Sequence, residues 1–263
     1  MQFSSVHPKA KIAGNVDISP FCYIAENVEI GEGTVIGPHA TILDYVKIGR
    51  NCRIFPGAVI GAVPQDMKFA GEVSWVEIGD NTVIRECATV NRGTAASGKL
   101  LTKIGDNCLI MSYAHVAHDC HIGNHVIQVS YVGLAGETEV DDWAIIGGGS
   151  FAHQFTRIGM HAMISGGSLI GKDVPPYSMA GRRPLSFCGL NNVGLRRRGF
   201  TNEQIDRIRE IYRIIYNSGL NRSDACVAVE REVPHCIERD NILNFIRGSK
   251  RGIIKFTDLS ADE

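Results

Sequence analysis

The chain has 263 residues, 44% hydrophobic and 21% charged, with a formal net charge of −1. That is the composition of one or two folded domains; it excludes a collagen-like or Pro/Gly-rich disordered chain and a nucleic-acid-binding polycation. No apolar run approaches the roughly 18 residues of a membrane span. The first residues lack a charged leader followed by an apolar stretch, so a cytoplasmic chain whose eight cysteines are reduced is expected.

From Ile12 onward an aliphatic residue recurs every six positions. Positions 12, 18, 24, 30, 36, 42, 48, 54 and 60 are all isoleucine. The frame resumes at Ile78, Ile84 and Val90, again at Ile104, and runs on to Ile170, broken only by Gln128 and Ala152. The following residue is glycine ten times, from Gly31 to Gly171. The fourth residue after the aliphatic is small or β-branched, a slot that holds Cys22, Cys52, Cys108 and Cys120 and gives them a packing role.

A strict period of six suits neither an amphipathic helix nor a hairpin sheet. It suits short strands joined by tight corners, three to each triangular coil of 18 residues. The aliphatic then stacks inside the prism, and glycine supplies corner angles that a Cβ would forbid. The pattern resembles the hexapeptide-repeat proteins, whose parallel β-helix is left-handed. The hand is implied by that resemblance, since ordinary crossovers are right-handed.

Two segments, 62–76 and 93–103, lose the frame and are expected to project as loops, although Ile60 to Ile78 is one coil's length. The β-helix is expected over 1–186, followed by a small α-helical domain over 187–263. There, Thr201 to Gln204 forms a capping-box pattern ahead of Ile205, Ile208, Tyr212 and Ile215, and Gly219 is a stop. Helices are expected over 223–233 and 237–246, separated by Pro234, and the whole would cap the open end of the coil. Between Arg182 and Arg213, eight arginines stand against Glu203, Asp206 and Glu210, a net of +5. Such a segment is either a solvated surface or a match for an acidic partner or a phosphate.

Six of the nine histidines lie between 115 and 161, none in an inward slot, so they are expected on the prism surface. Residues 18 apart stack in adjacent coils, about 4.8 Å apart. His118, Gly136 and Gln154 therefore share one outer column. Asp119 can orient His118 and support its charged form. An imidazole beside an exposed backbone N–H provides a base for a hydroxyl and a donor for an oxyanion, the needs of acyl transfer. The alternatives are a polar face with incidental histidines, or a zinc site built from three imidazoles.

With the QDMKFAGE stretch at 65–72, AHVAHDC at 114–120, HQF at 153–155, DVPPY at 173–177 and GLRRRGF at 194–200, the chain resembles the UDP-N-acetylglucosamine 3-O-acyltransferases of lipid A synthesis over nearly its whole length. The resemblance implies a homotrimer with active sites between adjacent prisms. It implies transfer of a 3-hydroxyacyl chain from acyl carrier protein to the glucosamine 3-hydroxyl of UDP-N-acetylglucosamine. His118 is then the general base, Asp119 its partner and Gly136 the oxyanion donor. Asp66 and Lys68 contact the sugar nucleotide. His115, His153 and Gln154 line the cleft near the sugar and acyl chain, and Asn191, Arg197 and Arg198 lie at the nucleotide and phosphopantetheine end. The basic 182–213 segment faces the acidic carrier protein. No metal and no permanently bound cofactor are implied; phosphopantetheine arrives on the carrier protein.

Glu137 and Asn91 stand where the family commonly has histidine, near the sugar, which leaves a 3-amino sugar open as acceptor. Ser165, Gly166 and Gly167 fall where the family sets acyl length. The rival readings are the related N-acyltransferase, with an N-terminal domain for which hexads beginning at Ile12 leave no room, and coenzyme A-dependent sugar acetyltransferases. A zinc hydrolyase resembling gamma carbonic anhydrase and a non-catalytic scaffold complete the alternatives.

Overall fold

The computed structural model describes residues 3–256. The chain winds as a left-handed parallel β-helix with three flat faces, here called A, B and C in the order in which the chain visits them. Face A begins at Ser5–Val6, face B at Lys11–Ile12 and face C at Asp17–Ile18. Most strands are only two residues long. Their pairing holds the 18-residue step: Tyr23 pairs with Thr41, His115 with Gly133, and Gly133 with Phe151. Each strand turns its hexad aliphatic inward, and Ile36, Ile42, Ile84, Ile110, Ile122 and Ile146 are fully buried. The inward slot makes one exception with a long polar side chain. Gln128 lies in the prism and donates from Nε2 to the carbonyls of His115 and Val132, both at 3.1 Å.

The ten glycines serve a different purpose from the one expected. Only Gly61 among them has a positive φ, at 87°. Most left-handed corner seats are filled instead by residues with side chains, such as Asn81, Asn107, Asp119, Tyr131 and Trp143, and the glycines that do take one, Gly33, Gly57, Gly149 and Gly167, lie outside the ten. What the glycines provide is close approach. A Cβ on Gly79 would stand 2.7 Å from the carbonyl carbon of Gly105 in the next coil, and one on Gly105 would stand 2.6 Å from Gly123 O. Coils draw this near because Asp and Asn side chains reach back along the B–C edge. Arg50 N–H donates to Asp80 Oδ1, Asp80 N–H to Asp106 Oδ1 and Asp106 N–H to Asn124 Oδ1, at 2.7, 2.7 and 2.8 Å. Gly79→Ala is accordingly expected to cost about 2 kcal/mol and lower the unfolding midpoint by about 5 °C. Gly171→Ala, which meets nothing within 4 Å, is the control that should leave it unchanged in a thermal melt.

Both irregular segments leave the prism at the A–B edge. Val46 pairs with Val76, thirty positions on instead of eighteen, so that coil carries twelve extra residues; Ile60 and Ile78 lie on different faces and do not span one coil. Val76 pairs with Thr102, so the next coil carries eight extra. The loops are shorter than expected, 63–74 and 92–100, because Trp75–Ile78 and Leu101–Ile104 pair along four residues each.

The three faces present different outer surfaces. Face B is a charged ladder, with Lys11 on Glu29 and Arg157 on Glu139. Face C shows half-buried Val83, Leu109, Ile127, Ile145 and Met163. Face A ends in Phe151 and Leu169, 55% and 72% exposed.

At the far end, Ser178–Gly181 extends face C, Ser186–Leu190 returns antiparallel to it, and Lys255–Phe256 adds alongside. Residue 187, expected to open the helical segment, thus lies inside a strand. A short helix not expected from the sequence, α1 (Asn192–Arg197), precedes α2 (Asn202–Asn217), α3 (Arg222–Glu232) and α4 (Ile237–Arg247). The capping box forms: Gln204 N–H donates to Thr201 Oγ1 and Thr201 N–H to Gln204 Oε1. Helix α2 buries Ile205, Ile208, Tyr212 and Ile215, and the Tyr212 hydroxyl donates to Pro176 O, tying the helices to the last coil. All eight cysteines are unpaired, and burial pushes the inward Cys108 and Cys120 thiols up to about 11 and about 12. Among the described residues no helix is long and apolar enough to cross a membrane.

Candidate active site

The A–B edge gathers the chemistry. His118 and Asp119 form the corner between the strands His115–Val116 and His121–Ile122. Although outward in register, His118 is only 8% exposed and Asp119 not at all; the two loops fold over them, so the expectation of a surface histidine holds for direction and not for solvent access. Asp119 adopts the left-handed conformation, φ 60°. Its carboxylate accepts from His118 Nδ1 at 2.8 Å. A carboxylate can only accept, so the proton of the neutral ring sits on Nδ1 and Nε2 keeps its lone pair. Asp119 is held in turn by Thr94 N–H (2.9 Å), Thr94 Oγ1 (2.7 Å) and Ser97 Oγ (2.6 Å) of the second loop.

Gly136 lies directly beneath the imidazole. A Cβ there would stand 2.5 Å from His118 Nε2. Glu137 N–H donates to His118 O, and Phe155 N–H to Gly136 O, which fixes the His118–Gly136–Gln154 column. The Gly136 N–H finds no acceptor among the described residues. Gln154 is half-buried next in the column, and exposed His153 contacts Gln154 O through Nδ1 at 2.9 Å.

From the first loop, Asp66 brings Oδ2 to 3.9 Å from His118 Nε2, while its Oδ1 accepts from Lys68 N–H; the Lys68 side chain is exposed. His115 Nδ1 meets Thr89 Oγ1 at 2.7 Å, and burial, followed by the proximity of His118, lowers the His115 pKa. Asn91 is 2% exposed and its amide donates to Val63 O at 2.9 Å, so it anchors the first loop; its Oδ1 is buried with no partner. Glu137 is turned away from the imidazole into a cavity of about 540 Å³ on the face B side, lined also by Lys99, Arg157, Lys250 and Arg251.

Asn191, Arg197 and Arg198 are not brought to this edge. Asn191 is buried, caps α1 through Gly194 N–H, and donates to His161 O at 3.0 Å. Arg198 lies over the Trp143 ring and is drawn below the ordinary arginine range by burial; Arg197 is exposed. They stand by the B–C edge, where His125, Trp143, His161 and Tyr177 stack ring on ring. In the +5 segment, Arg209 pairs with Asp206 and Arg213 with Glu210, so the positive excess rests on residues 182–198. Ser165, Gly166 and Gly167 form the C–A edge, where Gly167 has φ 68°.

Sequence reasoning missed Thr94, Ser97 and the aromatic stack. The stack had a signal, since His125, Trp143 and His161 recur at 18. Thr94 and Ser97 lie in a loop without a period and left none.

The model of the bacterial transferase hexapeptide family, six repeats, matches residues 9–44, 27–62 and 101–127, and that of UDP-N-acetylglucosamine O-acyltransferase, domain 2, matches residues 173–254. An acyl-[acyl-carrier-protein]–UDP-N-acetylglucosamine O-acyltransferase from Thermodesulfovibrio yellowstonii is 46% identical, covering 95% of this chain and 96% of its own. Among solved structures, a UDP-N-acetylglucosamine acyltransferase from Bacteroides fragilis is 53% identical with a TM-score of 0.95, covering 97% and 99% of the two chains. The Francisella novicida enzyme is 42% identical with a TM-score of 0.95, covering 99% and 95%.

Proposed function

This chain belongs to the acyl-[acyl-carrier-protein]–UDP-N-acetylglucosamine O-acyltransferases, and on that premise we propose how its residues perform the transfer. It moves an acyl group from acyl carrier protein to UDP-N-acetylglucosamine in lipid A biosynthesis. His118 Nε2 takes the proton of the sugar 3-hydroxyl as that oxygen attacks the thioester carbonyl. The developing oxyanion is held by Gly136 N–H. The C–S bond then breaks, and protonated His118 returns the proton to the phosphopantetheine thiolate. Asp119 keeps the ring in the required tautomer and stabilises its charge. The observation that carries this reading is an imidazole pinned through Nδ1 to a buried carboxylate and laid over a glycine whose N–H is unspent among the described residues.

Asp66 and Lys68 bind the sugar nucleotide on the loop side of the cleft, with His115, His153, Gln154, Asn91 and Glu137 around it. Asn191, Arg197 and Arg198 serve the nucleotide and phosphopantetheine end, and the basic residues of 182–213 receive the acidic carrier protein in the cytoplasm. The separation of these groups on two edges of one prism supports a homotrimer. Faces A and C carry the outward apolar side chains, Phe151 and Leu169 on the one and Val83, Leu109, Ile127, Ile145 and Met163 on the other, and burying both against copies of the chain puts their shared C–A edge on a threefold axis. One copy's His118 edge then lies beside the next copy's Trp143 and Arg198. Ser165, Gly166 and Gly167 fall at the inner end of that cleft, where their small size leaves room for a long acyl chain.

The test is an assay of purified protein with UDP-N-acetylglucosamine, its 3-amino counterpart and 3-hydroxyacyl carrier proteins of several lengths, beside a solution mass measurement. A trimer making the 3-O-acyl sugar is expected. A monomer, or transfer to the amine alone, would overturn the corresponding part.

A further inference from the structure

In the proposed transfer the first loop holds the sugar nucleotide, and the second loop, 92–100, has no part. Its buried polar contacts converge on one carboxylate. Thr94 N–H and Ser97 Oγ donate to Asp119 Oδ1, and Thr94 Oγ1 donates to Oδ2, which also receives His118 Nδ1. The Ser97 hydroxyl has one proton and two acceptors in reach, Asp119 Oδ1 at 2.6 Å and Thr94 O at 3.0 Å. The charged and nearer carboxylate takes it. Lys99 N–H donates to the same Ser97 oxygen at 3.0 Å, which polarises the hydroxyl toward Asp119.

The loop is itself fixed. A Cβ on Gly93 would stand 2.5 Å from the Leu100 carbonyl carbon, so its two ends touch. Glu72 of the first loop accepts from Ala95 N–H at 2.7 Å and Ala70 N–H at 2.8 Å, joining the two loops. Among the described residues no hydrogen bond joins Thr94 or Ser97 to His118 itself; both reach it through Asp119.

We propose that Ser97, together with Thr94, is the positioning residue of the His118–Asp119 pair, and that loop 92–100 serves to set how strongly Asp119 holds a proton on His118. The inference rests on the catalytic reading of that pair. Each hydroxyl that donates to Asp119 stabilises the anionic, proton-poor state of the pair. Removing one raises the proton affinity of the pair as a unit, whichever member carries the proton. The other titratable groups facing it are Asp66 from the first loop, His115 from the preceding strand, the Cys120 thiol beside it and Lys99 at the loop end. None of these changes in the variants below.

The experiment compares Ser97→Ala and Thr94→Val with Ser97→Thr and Thr94→Ser, which keep the hydroxyls, in the full-length protein. The first readout is the NMR titration of the His118 ring, assigned by its loss in His118→Ala; it needs no substrate and so stands apart from the identity of the reaction. The second is the pH profile of kcat/KM. Ser97→Ala is expected to move the His118 midpoint and the acidic limb upward together and to lower kcat about tenfold, the loss of one hydrogen bond to a charged group, with the KM for the sugar nucleotide little changed. Ser97→Thr should restore all three. An unmoved midpoint overturns the proposal, whether or not the rate falls, because a purely structural serine would lower the rate without moving it. A shifted His118 midpoint in Ser97→Ala, beside a wild-type protein that transfers no acyl group, would retire the catalytic reading and leave the coupling intact.

Discussion

His118→Ala is expected to lower kcat about 10³-fold, the size of a lost general base, while the fold and assembly persist. The persistence follows from the structure. His118 is outside the aliphatic column, and without it Asp119 keeps its three donors from Thr94 and Ser97, so the buried carboxylate is still hydrogen-bonded. The residual rate comes from Gly136 and from substrate positioning. Initial-rate kinetics beside a thermal melt and a mass measurement provide the check. Turnover within tenfold of wild type, with the assembly intact, would remove His118 from the base's role.

Gly136→Ala is expected to cost between about 10² and 10³ in kcat, for a different reason. The added Cβ would stand 2.5 Å from His118 Nε2, and the ring has no room to yield without breaking its 2.8 Å bond to Asp119. The base is displaced and the oxyanion seat narrowed in one step. The atoms it meets belong to one side chain, whereas those met by a Cβ on Gly79 include the backbone of the next coil, Gly105 C and Asp106 N, besides the Asp106 carboxylate. The two alanine variants should therefore separate cleanly: Gly136→Ala keeps the melting midpoint and loses turnover, while Gly79→Ala loses stability and keeps turnover per folded molecule. A Gly136→Ala enzyme with normal kcat would show that the acyl carbonyl does not sit against this corner.

The scaffold was readable because its period is chemical: one aliphatic in six must enter the prism, and a glycine and a small residue keep the same spacing beside it. The same period placed His118, Gly136 and Gln154 in one column. What it could not reach was any contact outside the ladder. Thr94 and Ser97 meet Asp119 only because an eight-residue excursion folds back on the corner, and no spacing rule encodes that return. The glycine slot was found for the wrong reason. Sequence marks where a Cβ is absent, but not whether its absence frees a dihedral or lets another backbone in, and here it is the second. Asn191 shows a third limit. Its use as the cap of α1 depends on a helix of six residues, too short to leave a periodic trace.

The insertions at the A–B edge have a consequence for how such a protein can change. Val46 still meets Val76, and Val76 still meets Thr102, across twelve and eight additional residues. The inward columns on either side are undisturbed, because an edge is the one place where the chain can leave and re-enter without altering which strands are neighbours. Length at that edge is thus uncoupled from the stability of the barrel-like stack. A lineage can lengthen, shorten or rewrite the segments assigned above to the acceptor while every isoleucine keeps its partner, so under that proposal a new acceptor preference requires no renegotiation of the core.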